Sequence, residues 1–194
     1  MIGNTFRKFT KWSVLKILIF KEIDDLIIRS FGIVAFISFF VGGVVAIQTA
    51  LNIENPLLPG NLVGFATRQS VILEFAPTFI SIIMAGKVGS FITSSIGTMR
   101  VTEQIDALEV MGINAHNYLI FPKIVALLLY PFLITIAMFL GIIGGYIVSI
   151  YGGFSTSYDF IQGIQLDFRV YHLFYAYSKT ILFAFILATI PSYH

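Results

Sequence analysis

The sequence predicts an all-α integral membrane protein, with an N-terminal interfacial helix and four spanning helices, and three observations predict it. Of 194 residues, 57% are hydrophobic and only 11% charged, with a mean hydropathy of +0.90. A soluble domain of this size cannot bury that much apolar surface. The apolar residues gather into four stretches, each long enough to supply the about 20 helical residues that a bilayer crossing needs. No alternating pattern of the β-barrel kind and no internal repeat interrupts them.

The elements follow in order. Residues 1–29 interleave Arg7, Lys8, Lys11, Lys16, Lys21 and Arg29 with Phe6, Phe9, Trp12, Leu15, Ile19 and Phe20. This basic, aromatic-rich pattern fits an amphipathic helix lying in the membrane interface; the alternative is a first span with a ragged start. A secretory signal is not indicated, because the run Trp12 to Phe20 is short, is interrupted by Lys16 and lacks a small-x-small cleavage site. The spans are expected over 30–51, 71–96, 118–151 and 171–190. The third is overlong, which a tilt or a kink at Pro131 would accommodate. Small residues mark the spans as a packed bundle: Gly42 and Gly43, then Ala85, Gly86 and Gly89, then Gly141, Gly144 and Gly145. Gly141 and Gly145 form a small-xxx-small pair that lets helix backbones approach closely.

Charge asymmetry orients the chain. With a cytoplasmic N-terminus, that side holds the leader's basic residues plus Arg100 and Lys123, against Arg68 and Arg169 in the opposite segments 52–70 and 152–170. Lys87 and Lys179 fall inside spans. An ammonium at such depth costs about 2.5–3.5 kcal/mol on insertion scales, so Lys87 must face protein, water or an anionic group. Two readings stand for it: a polar cavity in which it meets an anionic head group, or a cap on the carbonyls or acid of a neighbouring helix. Lys179 lies nearer the outer surface, within reach of snorkelling. Glu74 stands 13 residues before Lys87, about 20 Å away on a straight helix, too far for a direct pair.

Between the second and third spans, residues 98–112 read as one polar helix. Glu103, Asp106 and Glu109 form a carboxylate stripe, and Val101, Ile105, Leu108 and Met111 an apolar one. A helix lying on an anionic lipid surface would carry Lys and Arg instead. The pattern therefore predicts a cytoplasmic helix held by its apolar side, its acids turned to a soluble protein.

Enzyme signatures are absent. No G-x-x-x-x-G-K-[ST] phosphate loop and no G-x-S-x-G elbow occurs, and Gly86-x-x-Gly89 lacks the third glycine of a dinucleotide fingerprint. His116, His172 and His194 are isolated, so no metal site is expected, and zero Cys removes thiol chemistry. No basic face outside the leader suits nucleic acid.

The run EFAPTFISIIMAGKVGSFITSSIGTMRVTEQIDALEVMGIN resembles the signature region of the MlaE/YrbE permease family, membrane subunits of ABC transporters that move lipids between membranes. The string at 99–112 carries most of the resemblance, and weaker similarity reaches the FLGIIGGY segment and the fourth span. The resemblance implies a permease for phospholipid or related lipids, working as a homodimer with a cytoplasmic ABC ATPase and an extracytoplasmic MCE-domain protein. It places the chain in the inner membrane of a Gram-negative-type bacterium, in a system serving outer-membrane lipid asymmetry. ATP and Mg would belong to the ATPase, this chain having no cofactor of its own. It also implies that 98–112 is the coupling helix, with Arg100, Glu103, Gln104, Asp106 and Glu109 at the ATPase, and that Glu74, Pro77, Gly86, Lys87 and Gly89 line the lipid cavity. Many relatives carry Arg where Lys87 stands here, and an acid near Ser95. The family's pattern continues past His194 into a fifth span, so 30–194 is expected to be a C-terminally truncated permease domain. A reading from another class is a non-transporting scaffold that recruits a peripheral protein through the same acidic helix.

Overall fold

The structure, a computed structural model, describes residues 12–53, 59–113 and 115–193; among them every regular element is helical and no strand occurs. Helix α1 (Trp12–Ile23) passes through a π-helical stretch, Asp24–Ile28, into α2 (Arg29–Asn52). Helix α3 (Asn61–Ser70) passes through a second π-helical stretch, Val71–Phe79, into α4 (Ile80–Val101). Then follow α5 (Gln104–Val110), α6 (Ala115–Leu127), α7 (Tyr130–Tyr151), α8 (Ser157–Gln165) and α9 (Val170–Tyr193). Among the described residues, four segments are long and apolar enough to cross a membrane: Val14–Asn52, Asn61–Val101, Asn117–Tyr151 and Val170–Ser192. The chain is an all-α integral membrane protein.

Two boundaries differ from the sequence reading. The expected division at residue 29 is not a break in the backbone: helix continues from α1 to α2, with a wider π turn where Asp24 and Asp25 stand. Residues 1–11 of the expected interfacial helix lie outside the described residues. In the third segment the break falls at Leu128 and Leu129, just before Pro131, and not at it. Proline disfavours helical backbone in the residue before it, yet sits well in the first turn of a new helix, where its missing N–H costs nothing. Pro77 is housed differently, inside the π-helical stretch, where a changed hydrogen-bond register absorbs a lost donor.

The chain forms two compact units. One gathers the described parts of Met1–Phe31 with Ile82–Pro131 and Ile181–His194; the other gathers Gly32–Ser81 and Phe132–Thr180. In the first, α1 packs against α6, and Leu15, Leu26, Met84, Ile92 and Leu127 are buried. In the second, the glycines act as the small-residue pattern predicts. A Cβ on Gly42 would fall on the Gly141 carbonyl, and one on Gly144 would fall on the Phe39 carbonyl. Backbones of α2 and α7 therefore meet with no side chain between them, gaining dispersion contacts that a bulkier residue would forbid. Helices α3 and α8 meet in the same way through Gly64 and Gly163, over a small core of Ala50, Val63 and Phe160.

Candidate functional site

In the first unit, the π turn of Asp24–Ile28 faces α4 across a cavity of about 470 Å³ lined by Asp25, Leu26, Ser30, Lys87, Ser90 and Ser94, with Val88 and Phe91. Lys87 is half-buried and donates to the backbone carbonyl of Arg29 at 2.5 Å. It pairs with no carboxylate among the described residues. Arg29 instead bridges two acids, Asp24 at 3.2 Å and Asp25 at 2.9 Å. The carbonyl-capping reading of Lys87 thus describes its contact, and the cavity reading describes its surroundings. Gly86 is exposed with open space beside its Cα, while Gly89 is half-buried and faces Pro191.

The second unit holds the other expected cavity residues, Glu74 and Pro77. Glu74 is exposed and Pro77 buried. Glu74 pairs with Lys179 at 2.9 Å, and Lys179 also donates to the Leu73 carbonyl at 3.1 Å and lies over the Tyr175 ring, 4.5 Å from its centroid. Lys179 therefore does not snorkel free; it closes a charge pair that ties the Val71–Phe79 stretch to α9. Sequence reading missed this partner, since the two residues stand 105 positions apart. The clue was there only as chemistry: one acid and one base in spans that hold few others.

Two more charged residues carry structure that the sequence did not announce. Lys123 pairs with Glu22 in a contact that is nearly closed to solvent, tying α6 to α1. Arg68, 2% exposed, donates to the carbonyls of Ile164 at 2.7 Å and Leu166 at 3.0 Å, capping the end of α8. The rings of Phe65 and Phe168 flank its guanidinium at 5.2 and 5.6 Å. A weakly hydrated planar cation suits such a place better than an ammonium would.

The segment 98–112 is not one helix. Helix α4 runs on to Val101, the chain turns at Thr102 and Glu103, and α5 restarts at Gln104. Glu103 adopts a left-handed conformation, φ 56°, and Gly112 ends the segment at φ 73°. Hydroxyls finish α4 from within: Thr98 bonds back to Ser94 and Thr102 to Thr98. The turn takes Glu103 out of helical register with Asp106 and Glu109. All three acids remain exposed, as do Arg100 and Gln104, and Arg100 reaches Asp106 only at 4.0 Å. The apolar stripe is divided as well. Ile105 and Leu108 are half-buried, whereas Val101 and Met111 are 85% and 65% exposed.

Comparison with known proteins gives these features a setting. A family model described as Permease MlaE matches residues 19–194. A probable ABC transporter permease protein of Rickettsia bellii is 30% identical over 177 residues, covering 91% of this chain and 68% of the relative. One from Synechocystis is 32% identical over 170 residues, covering 84% of the chain and 62% of the relative. The chloroplastic protein TRIGALACTOSYLDIACYLGLYCEROL 1 of Arabidopsis thaliana is 33% identical over 145 residues, covering 72% and 37%. The chain thus spans roughly two thirds or less of the length of these relatives.

Proposed function

The chain belongs to the MlaE permease family, and from that premise we propose that this ABC transporter permease moves phospholipid or a related lipid between membranes, driven by a separate ATPase. The observation that carries the coupling is the exposed acidic segment Glu103–Glu109, a turn and a short helix between the second and third spans. A phosphate loop is missing from the sequence, so the power stroke has to enter through a surface, and this one is charged, compact and joined directly to α4. Nucleotide binding in the motor would favour one arrangement of the spans by gripping Arg100, Glu103, Gln104, Asp106 and Glu109 differently in its two states. A lipid cargo is supported by the charged groups held within apolar segments, Lys87 beside its cavity and Glu74 with Lys179, and by the glycerolipid that the Arabidopsis relative is named for.

Pro77 is buried, so its part is to shape the π-helical stretch that presents Glu74, while Gly86 and Gly89 leave the flanks of Lys87 without side chains. The working assembly in this reading is a homodimer with two ATPase subunits and an MCE-domain protein, in an inner membrane with the N-terminus cytoplasmic. ATP and Mg reside in the motor.

The test is charge reversal of Glu103, Asp106 and Glu109 to Lys together. The expected outcome is a folded, membrane-inserted chain that no longer co-purifies with its ATPase and no longer moves lipid in a vesicle assay. Normal co-purification with normal transport would place the coupling surface elsewhere. Loss of co-purification from a complex that never moved lipid would favour the scaffold.

A further inference from the structure

The cavity between the Asp24–Ile28 turn and α4 carries charge of both signs. On one wall a single guanidinium, Arg29, serves two carboxylates, Asp24 and Asp25, which leaves that wall one negative charge in excess. Asp25 itself lines the cavity, and its side chain is 12% exposed. From α4 Lys87 brings a positive charge that reaches across to the Arg29 carbonyl, its one acceptor among the described residues. An ammonium has three donors, so Lys87 has capacity beyond that bond. Ser90 and Ser94 follow it at three and seven residues, which on an α-helix places them along the same side as Lys87 and within the cavity wall; the Ser90 hydroxyl is already bonded to the Lys87 carbonyl at 3.0 Å. Ser30 is occupied, its hydroxyl bonded to the Leu26 carbonyl at 2.6 Å.

A wholly anionic ligand would meet the Asp wall with repulsion, and a wholly cationic one would meet Lys87. A ligand carrying both charges a few ångströms apart satisfies both walls. The four ionised side chains, Asp24, Asp25, Arg29 and Lys87, sum to zero, so such a ligand must itself be neutral overall to leave no charge unmatched. The volume of about 470 Å³ suits a head group and not a whole diacyl lipid, and the lining residues belong to the candidate spans Val14–Asn52 and Asn61–Val101, where acyl chains have hydrocarbon beside them.

We propose that this cavity binds the zwitterionic head group of a glycerophospholipid, its phosphate on Lys87 beside Ser94, its ammonium on Asp25. The inference rests on the lipid reading of the chain and adds a selectivity to it: neutral, zwitterionic phospholipid is taken over anionic phospholipid and over uncharged diacylglycerol.

The experiment places the full complex in nanodiscs of equal parts phosphatidylethanolamine, phosphatidylglycerol and diacylglycerol, strips bulk lipid, and measures retained lipid by mass spectrometry. The unchanged protein retains phosphatidylethanolamine over phosphatidylglycerol by about fivefold, the scale of one partly exposed charge contact. Lys87→Met abolishes the enrichment of phospholipid over diacylglycerol, Lys87→Arg keeps it, and Asp25→Asn turns the preference toward phosphatidylglycerol. Equal or reversed retention by the unchanged protein overturns the proposal, whatever the variants do. Identical lipid profiles in all four proteins overturn it too, while leaving lipid as the cargo. An unchanged protein that retains no lipid removes this inference and the lipid reading together.

Discussion

The buried pair of Glu22 and Lys123 shows what a single contact settles in this protein. The Lys123 side chain is 3% exposed, and Glu22 keeps one carboxylate oxygen with no hydrogen-bond partner among the described residues. Removing one partner strands a charge, which costs about 3–5 kcal/mol, whereas replacing both with apolar residues of similar size costs far less. Glu22→Ala is therefore expected to lower the thermal unfolding midpoint in detergent sharply, and Glu22→Leu with Lys123→Met to restore most of it. An unshifted midpoint for Glu22→Ala would mean that the pair does not hold α1 to α6. None of this was legible in the sequence, where Lys123 counted only as a basic flank. Its partner lies 101 residues away, and no spacing rule reaches that far. Lys87 was more legible: its depth in an apolar run demanded a partner, and the carbonyl of Arg29 is one of the kinds foreseen.

Elements were easier to read than their joints. Periodicity found the spans, because an apolar stretch of bilayer length is a local property of the chain. It joined 98–112 into one helix because Val101, Ile105, Leu108 and Met111 keep helical spacing across the turn that in fact separates α4 from α5. A non-glycine residue in the left-handed region costs roughly 1–2 kcal/mol. Glu103→Gly is thus expected to raise stability by about 0.5–1 kcal/mol, and Glu103→Val to lower it, since a β-branched side chain suits φ 56° least. Chemical unfolding in mixed micelles measures both, and equal stability of the two variants would argue for a continuous helix. The π-helical stretches left less trace still. Pro77 marked the second as irregular, but nothing in Asp24–Ile28 distinguishes a π turn from an α turn by composition.

For the whole molecule, the absence of cysteine makes the topology directly testable. Glu109 and Tyr158, both exposed, flank the third span, so single cysteines there must lie on opposite sides of the membrane. A membrane-impermeant maleimide applied to intact cells is expected to label Tyr158→Cys and to spare Glu109→Cys until the membrane is opened. Labelling of both from outside would contradict the span between them. Hydropathy and the low-degeneracy run at 99–112 sufficed for the membrane class, the spans and the family, because each sums contributions that residues make whatever their distant neighbours do. Which charge meets which was decided only by the fold. Glu74 with Lys179, Glu22 with Lys123, and Lys87 with the Arg29 carbonyl depend on the axial register of helices far apart in the chain. A residue's own chemistry says that a buried charge needs an answer; only packing brings one within 3 Å or so.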